Sequence, residues 1–332
     1  MNLGRLRRAL LQWTEAPTLG VALKRIAGYV GLRLWTLIIN CFPIETNLAT
    51  ARVLGKLWWL LFPRHRRRAL RNLRRAFREY PRERIIDIGR KSLEHFAQLY
   101  LVELLMMPRL ITKWSWARYV ELDNLGPALR ELLSDRGVIM LTGHFGNYEL
   151  TGFIICHLGL PLSAIMRPLD NPLINRYLVA TRKAGGLTLL YKKGATEFAD
   201  DILDRGGTLC FIADQDAGRK GQFVEFFGRP ASTYKAIGLL AMRHDVPVII
   251  GAATRRGTGF RYRVQVERII QPAEWQDEAD PLHWVTQTFS HALEAAIRRA
   301  PEQYLWAHRR WKHQPPRPGD PRRRRGGRRE RA

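Results

Sequence analysis

The stretch Gly137-Val-Ile-Met-Leu-Thr-Gly-His-Phe-Gly-Asn-Tyr-Glu-Leu150 joins a short apolar run to a helical segment through a turn that contains two glycines. The apolar run Gly137–Leu141 is typical of a buried strand, and the residues Tyr148–Leu158 are typical of a helix. His144 follows the end of that strand. In an open α/β sheet, ligands bind at the edge formed by the carboxyl ends of the strands. The stretch therefore predicts an α/β protein with a site near His144.

Short apolar runs of the same kind recur along the chain and alternate with helical segments. This alternation predicts an α/β fold with a central, mostly parallel sheet and helices on both faces. The other strand candidates are Leu162–Met166, Thr188–Tyr191, Thr208–Ala213, Pro247–Ala253 and Tyr262–Val266, and the other helix candidates are Arg90–Leu105, Pro172–Ala184, Glu197–Asp204, Lys235–Arg243 and Leu282–Arg299.

The N-terminal part has a different pattern, because residues 1–78 contain 16 lysines or arginines and only two acidic residues. The apolar run Ile26–Phe42 has about the minimum length that spans a bilayer, although Arg33 lies inside it. A second apolar run, Leu57–Phe62, is too short to span. We interpret residues 20–78 as membrane-associated helices that precede the sheet. Two alternatives stay open: an amphipathic helix pair that packs on the core, and a single span at 26–42.

Composition divides the chain into three regions. Residues 1–80 form a basic and apolar membrane-associated helical region, and residues 81–314 form the α/β domain. Residues 315–332 are dominated by Pro, Gly and Arg without an apolar pattern, which predicts a disordered Arg-rich tail.

The net charge of +25 and the isoelectric point near 10.9 restrict the partners of the protein. An anionic membrane surface, an acidic protein or substrate, and a nucleic acid would all be attracted. No RRM, KH or zinc-finger pattern is present, so we do not expect nucleic acid to be a partner. The three cysteines lie far apart in apolar runs, which predicts buried, reduced side chains without a disulfide framework or a metal cluster.

His144 and Glu149 are the strongest candidates for catalysis. If the turn folds back, a carboxylate in the first turn of the helix can hydrogen-bond the imidazole, fix its tautomer and favour its protonated form. The flanking Gly143 and Gly146 would let a substrate approach the backbone. His157 lies 13 residues beyond His144 among apolar residues, and no second histidine stands at metal-ligand spacing, so we expect no metal.

Several other charged or polar residues follow strand candidates and are candidates for substrate binding. Arg167 would hold a phosphate or support an oxyanion, or it would form a plain salt bridge. Asp214, Gln215 and Asp216 would shape the site by holding Arg167 or Lys220 or by contacting acceptor hydroxyls. Near the C-terminus, Arg309 and Arg310 would contact a phosphate or a carrier protein, or would pack on the neighbouring tryptophans. The segment Phe226-Phe227-Gly228 would be core or part of an acyl channel.

Five segments together resemble one family, the bacterial lipid A late (lauroyl- and myristoyl-transferring) acyltransferases of the lysophospholipid acyltransferase superfamily. Gly143–Glu149 is similar to the family's HxxxxE motif, and the resemblance covers roughly residues 25–312 in order. The other segments are HRRRALRNLRRAF from His65, MRPLDNPLINRYL from Met166, IADQDAGRKGQFVEFFGRPASTYKAIGLLA from Ile212 and PEQYLWAHRRWK from Pro301.

The resemblance implies an O-acyltransferase that moves a fatty acyl chain from acyl carrier protein to a hydroxyl of a lipid A precursor. His144 would take the hydroxyl proton, Glu149 would orient and stabilise His144, and no cofactor would be needed. The enzyme would lie at the inner (cytoplasmic) membrane with its catalytic domain facing the cytoplasm. The same chemistry on a phosphatidylinositol mannoside, an ornithine lipid or a lysophospholipid is the alternative.

Overall fold

The computed structural model describes residues 3–191 and 195–315. The expected Arg-rich tail, residues 315–332, lies outside the described residues apart from residue 315. Within these ranges, the α-helices are α1 (Leu3–Thr14), α2 (Leu19–Asn40), α3 (Ile44–Leu61), α4 (Pro63–Ala76), α5 (Arg82–Gln98), α6 (Leu104–Leu110), α7 (Gly126–Leu132), α8 (Tyr148–His157), α9 (Pro172–Ala184), α10 (Ala195–Asp204), α11 (Ala236–His244) and α12 (Pro281–Arg299).

The strands of the described chain form one large sheet and one hairpin. The sheet has seven strands in the order β1-β9-β8-β2-β5-β3-β4, and β6 pairs with β7. These strands are β1 (Val120–Asp123), β2 (Val138–Thr142), β3 (Leu162–Met166), β4 (Thr188–Tyr191), β5 (Thr208–Ile212), β6 (Gln222–Glu225), β7 (Pro230–Thr233), β8 (Val248–Arg255) and β9 (Tyr262–Ile270).

The sheet is mostly parallel, as the alternation of strands and helices predicts. The strands β8, β2, β5, β3 and β4 run parallel to one another. The strand β9 runs antiparallel to β8, and β1 pairs with β9 in parallel. The helix candidates at 148–158, 172–184 and 282–299 match α8, α9 and α12 to within one residue. The expected α/β fold with a mostly parallel sheet is confirmed.

Helices cover both faces of the central strand β2, which explains why its sequence is apolar at successive positions. Ile139 and Leu141 belong to the largest core cluster, together with residues of α4 and α12. Val138 and Met140 point the other way and pack in a cluster with residues of α7 and α8. Since side chains alternate along a strand, these two clusters lie on opposite faces of the sheet.

The helix expected at Arg90–Leu105 is interrupted. The helix α5 ends at Gln98, a π-helical turn covers Leu99–Glu103, and α6 follows. An apolar period cannot reveal this change, because a π-turn inserts one extra residue without removing the helical repeat. The strands β1, β6 and β7 also escape the sequence analysis, because each has four residues and β6 and β7 include polar ones.

The N-terminal helices pack against the rest of the chain along one side and leave apolar side chains exposed on the other. Gly55 of α3 lies so close to α5 that an added Cβ would come within 2.5 Å of the Glu94 Cα. Leu73 of α4 is fully buried in the largest core cluster. No helix of the described chain is both long enough and apolar enough to cross a membrane. The exposed apolar residues of α1–α3 and the residue that follows α3 include Trp13, Leu23, Val30, Leu34, Leu37, Ile38, Leu60, Leu61 and Phe62.

The burial expected for the cysteines holds only in part. Cys156 and Cys210 are partly buried, but Cys41 is exposed because it follows the last turn of α2. The three thiols are free in the described structure.

Candidate active site

The site lies at the carboxyl edge of the sheet, where two neighbouring strands end at the same level. Thr142 of β2 pairs with Ile212 of β5, so His144 and Asp214 each lie two residues beyond the paired strand ends. This register places the two side chains side by side, and His144 Nδ1 lies 2.7 Å from Asp214 Oδ1. Both residues are buried. The parallel pairing thus forms a buried histidine–carboxylate pair at the edge where ligands bind.

The turn that carries His144 is fixed by backbone bonds to distant segments. Gly146 N donates to the Gln303 carbonyl at 3.0 Å, and Leu305 N donates to the His144 carbonyl at 3.1 Å. Gly146 has φ +57°, and a Cβ there would lie 2.0 Å from the Ala253 carbonyl oxygen. The sequence analysis attributes this glycine to substrate approach, and the structure corrects that reason: Gly146 is required because the backbone of β8 passes beside it.

A buried polar network supports the turn from the α5–α6 side. Glu103, in the π-helical turn, is fully buried and accepts hydrogen bonds from the Asn147 amide at 2.9 Å and the Tyr262 hydroxyl at 2.6 Å. It also forms an ion pair with Arg255 of β8. Asn147 in turn caps α8 by accepting a hydrogen bond from Leu150 N at 2.9 Å. Glu103 is therefore connected through one residue to the helix that follows His144.

Electrostatics favour the protonated form of His144. Burial alone would lower the pKa of His144, but the charge and hydrogen bond of Asp214, together with the charge of Glu149, overcome this and raise the pKa above its ordinary value. Burial opposes ionisation of Asp214, and His144 outweighs it, so the pKa of the carboxyl lies well below its usual range. Asp214 therefore stays ionised and stabilises an imidazolium at His144.

Glu149 does not make the hydrogen bond to His144 that the sequence spacing suggests. Its two carboxylate oxygens accept hydrogen bonds from Arg182 of α9, Nε at 2.9 Å and Nη2 at 2.5 Å. Glu149 lies in the first turn of α8, and its carboxylate reaches α9. The residue that hydrogen-bonds His144 Nδ1 is Asp214, which the sequence analysis assigned to Arg167 or Lys220.

Two further side chains stand beside His144. The Gln215 amide nitrogen lies 3.4 Å from His144 Nε2, and the ring of His308 has its centre 4.9 Å from that of His144. Burial lowers the pKa of His308, and the charges of His144, Arg310 and Arg68 add to this effect, while the charge of Asp214 opposes it. His144, Asp214 and His308 offer ligand atoms within 4.8 Å of one another, a set that a metal ion could use. The absence of a metal therefore stays a prediction.

The structure does not bring Arg167 into this group of contacts. Its side chain is 84% exposed and faces Asp170 across 3.7 Å. Asp216 holds neither Arg167 nor Lys220, because His313 Nδ1 occupies its carboxylate at 2.5 Å. These expected pairings are wrong, since the carboxylate of Asp216 turns towards the C-terminal segment.

Arg310 and Arg309 have different environments. Arg310 is buried and donates to the carbonyl oxygens of Gln215 at 3.1 Å and Ser232 at 2.5 Å. Its guanidinium packs over Phe226, 5.2 Å from the ring centre, rather than over a tryptophan. Arg310 thus clamps the segment that carries Asp214 and Gln215, while Arg309 is exposed. Phe226 and Phe227 belong to the largest core cluster, which supports the core interpretation of that segment.

Three residues that lie at the site or beneath it were not predicted from the sequence: His308, Arg182 and Glu103. Each reaches its partners through the tertiary fold and has no spacing signal of its own. His308 did lie inside the C-terminal segment that resembles the family, which was the one available indication.

A buried histidine–carboxylate pair at the carboxyl edge of a parallel sheet is suited to proton transfer with a bound substrate. The family model described as bacterial lipid A biosynthesis acyltransferase matches residues 19–313. The chain belongs to this family.

Individual relatives agree with the family. The chain is 26% identical over 294 residues to the lipid A biosynthesis palmitoleoyltransferase of Escherichia coli (strain K12), covering 85% of this chain and 89% of the relative. It is 26% identical to the lipid A biosynthesis lauroyltransferase of the same organism, covering 85% and 90%. It is also 24% identical to the phosphatidylinositol mannoside acyltransferase of Mycolicibacterium smegmatis, covering 59% of this chain and 66% of the relative.

Proposed function

We propose that this acyltransferase moves a fatty acyl chain from acyl carrier protein to a hydroxyl of a lipid A precursor, with His144 as the general base. The observation that supports it most directly is the buried pair of His144 and Asp214. Because Nδ1 donates to the Asp214 carboxylate, the neutral tautomer leaves Nε2 as an acceptor for a substrate hydroxyl.

In this reaction His144 Nε2 takes the proton of the acceptor hydroxyl while the hydroxyl oxygen attacks the thioester carbonyl. The carbon–sulfur bond then breaks, the new ester is released, and the thiolate takes the proton from His144. Asp214 stabilises the imidazolium that exists between these two transfers. These reaction steps require neither a covalent enzyme intermediate nor a cofactor.

Glu149 takes a supporting part in this proposal. Its charge adds to that of Asp214 in raising the pKa of His144, although its oxygens are bound to Arg182. Its neighbour Tyr148 lies with its ring centre 5.2 Å from that of His144 and its hydroxyl 3.3 Å from that of Tyr100. The bidentate contact of Glu149 with Arg182 therefore ties α8, which follows His144, to α9.

A basic surface beside the site fits an acidic donor protein. The helix α4 contributes Arg71 and Arg75, both exposed, and in the described chain no carboxylate forms an ion pair with the arginines of α4. Burial and the charges of Arg75, Arg71 and Arg78 lower the pKa of Arg229 to about 10. Such a cluster of like charges is relieved by an acidic partner, and acyl carrier protein is acidic.

The donor assignment can be tested with the variant Arg71→Gln/Arg75→Gln. We expect a higher KM for acyl carrier protein thioesters and an unchanged KM for an acyl-pantetheine thioester, because the small donor has the same reactive group without the acidic protein. The control variant Arg205→Gln/Arg243→Gln removes the same charge elsewhere, at two exposed residues that follow α10 and lie on α11, respectively. An unchanged KM for both donors would show that the α4 surface does not bind the carrier.

The exposed apolar side chains of α1–α3 fit the acyl region of a membrane surface, and this supports our proposal that the protein lies at the inner membrane. Leu37 and Leu61 are 64% and 68% exposed. We expect Leu37→Glu/Leu61→Glu to lower flotation with vesicles. Leu133→Glu should leave flotation unchanged, because Leu133 follows α7 and lies outside α1–α3, although it is 72% exposed. Equal flotation of the wild type and the double variant would contradict this assignment.

The acyl transfer itself is tested with detergent-purified wild type and His144→Ala. Each protein receives carrier-protein thioesters of mixed chain length and a phosphorylated lipid A precursor with free 3-hydroxyacyl groups, and mass spectrometry reads the lipid. We expect an added acyl mass with the wild type only. Comparable turnover by a folded His144→Ala protein would contradict the role of His144.

Parallel reactions separate the acceptors. A phosphatidylinositol mannoside acceptor is included because the mycobacterial relative bears that name. An added mass on the mannoside but not on the lipid A precursor would keep the chemistry and change the acceptor.

A further inference from the structure

A cavity lies between the N-terminal helices and α9, away from the site at His144. It has a volume of about 350 Å³ and is lined by Trp13, Tyr29, Leu173, Arg176 and Tyr177. Its lining comes from α1, α2 and α9 rather than from the strand ends that carry His144. A cavity of this size and mixed character fits a polar headgroup better than a long acyl chain.

One guanidinium group lines this cavity, that of Arg176, and a second, that of Arg33, contacts two of the lining aromatic side chains. Arg176 donates from Nη2 to the Trp13 carbonyl at 2.7 Å. Arg33 lies with its guanidinium carbon 5.3 Å from the Tyr177 ring centre and 5.9 Å from that of Tyr29, and its Nη1 donates to the Tyr29 hydroxyl at 3.1 Å. Aromatic rings and a backbone carbonyl therefore hold both cations in place.

The charges of these two arginines are not neutralised within the protein. Both side chains are exposed, and in the part of the chain that the structure describes neither forms an ion pair with a carboxylate. A guanidinium that is oriented in advance and lacks an anionic partner is suited to bind a phosphate.

The surroundings indicate where the phosphate comes from. Val30, Leu34 and Leu37 of α2, which carries Tyr29 and Arg33, are exposed apolar side chains, and Trp13 at the cavity is 48% exposed. Aromatic residues and arginines next to an exposed apolar face are typical of the headgroup level of a membrane. The cavity thus lies where a lipid phosphate would be when α2 rests on the bilayer.

We propose that this cavity is a binding site for the phosphate of an anionic lipid, held by Arg33 and Arg176 and flanked by Trp13, Tyr29 and Tyr177. The lipid phosphate belongs either to the phosphorylated acceptor or to a bulk phospholipid of the membrane. The site rests on the lipid-facing role proposed for α1–α3 but does not depend on acyl transfer. Tyr177 and Arg182 both lie on α9, so a lipid held in this cavity would be close to the helix that holds Glu149.

The probe for this site is dihexanoyl phosphatidic acid, a water-soluble lipid used below its micelle concentration and titrated by calorimetry. We expect saturable binding to the wild type that is weakened about tenfold or more in Arg33→Gln/Arg176→Gln, since two charged hydrogen-bond donors are lost. The pair Lys24→Gln/Lys56→Gln removes two exposed charges from α2 and α3 and should bind like the wild type. The milder Arg176→Gln alone should weaken binding by a smaller factor.

Kinetics with acceptors in neutral detergent distinguish the two sources of the phosphate. If the acceptor supplies it, the double arginine variant raises KM for the phosphorylated acceptor but not for a dephosphorylated one. If a bulk phospholipid supplies it, both KM values stay as in the wild type while the calorimetric loss remains. Absence of saturable binding by the wild type, or equal binding by the double arginine variant, would overturn the proposal. The calorimetric result stands apart from acyl transfer, so an inactive wild type would not decide it.

Discussion

Replacing Asp214 by asparagine gives the most direct test of the proposed base. Unit charges on His144 and Asp214 at 2.7 Å interact by about 6 kcal/mol at an effective dielectric constant of about 20. A neutral amide would recover about 1 kcal/mol as a hydrogen bond. The remaining loss of about 5 kcal/mol in stabilising the imidazolium predicts that kcat falls by between three and four powers of ten.

The pH profile of the Asp214→Asn protein separates this role from a structural one. His144 must be neutral to accept a proton, so kcat/KM of the wild type rises with pH through a His144 pKa that Asp214 holds above its ordinary value. Without that carboxylate, burial lowers the pKa, and the acid limb should move to lower pH. Glu149→Gln should move the limb less, because Glu149 acts without a hydrogen bond to His144.

The assay is the rate of acyl transfer to the lipid acceptor as a function of pH, with circular dichroism to check folding. Asp216→Asn is the matched control, because it removes the same charge two residues further on, where the carboxylate is bound to His313. An acid limb that stays in place in a folded Asp214→Asn protein, or a loss of kcat no larger than that of the control, would refute the assignment of Asp214 as the partner of His144.

Three further predictions concern the support of the turn. Gly146→Ala should lower the free energy of unfolding by about 3 kcal/mol or more, because the backbone would be strained and the new Cβ would collide with β8. Gly159→Ala is the control, since Gly159 also has a positive φ but open space around it, and it should cost about 1–2 kcal/mol. Chemical denaturation of the two variants compares these losses. Glu103→Gln should lower the free energy of unfolding by about 3–5 kcal/mol, because it leaves the buried Arg255 unpaired. Glu121→Gln breaks an exposed ion pair and should lower it by less than about 1 kcal/mol. Equal losses in the two variants would contradict the supporting role of the buried Glu103 network. Burial lowers the pKa of His95 to about 3, so the unfolded state binds a proton more readily. Stability should therefore fall by about 4 kcal/mol as pH drops from 6.5 to 3. The variant His95→Gln should flatten that part of the curve of unfolding free energy against pH.

The elements that the sequence predicted best are those whose signal is local. The strands at 162–166 and 188–191 and the helix at 172–184 agree with the structure residue for residue, because apolar period and a capping Asn171 with Pro172 mark them. The π-helical turn and the β6–β7 hairpin were missed, since one extra residue or a four-residue polar strand leaves little trace in such a pattern.

The site was predicted in part for the same reason. His144 was found because a strand end, two glycines and a helix start surround it in sequence. Glu149, which is near in sequence, was predicted to be the hydrogen-bond partner of His144. The actual partner, Asp214, becomes its neighbour only through the register of β2 and β5. Both residues lie two positions after their strands, so the pairing follows once the two strands are known to be adjacent. A single sequence does not give that adjacency.

Charged residues inside the fold were the hardest to recognise. Arginine and glutamate are usually found at the protein surface, yet Arg310 and Glu103 are buried and hydrogen-bonded to groups that are far away in sequence. Their environment depends on where several elements meet, which no local period encodes.

The contacts of the His144 turn with Gln303 and Leu305 also have a consequence during synthesis of the protein on the ribosome. The strands and helices that surround His144 are synthesised first, but the residues that hold the turn leave the ribosome among the last of the described chain. A nascent chain can therefore form its sheet before the turn that carries His144 is held in place. Acyl transfer would begin only after residues 303–310 have emerged and closed over the strand ends, so unfinished chains would remain inert towards lipids.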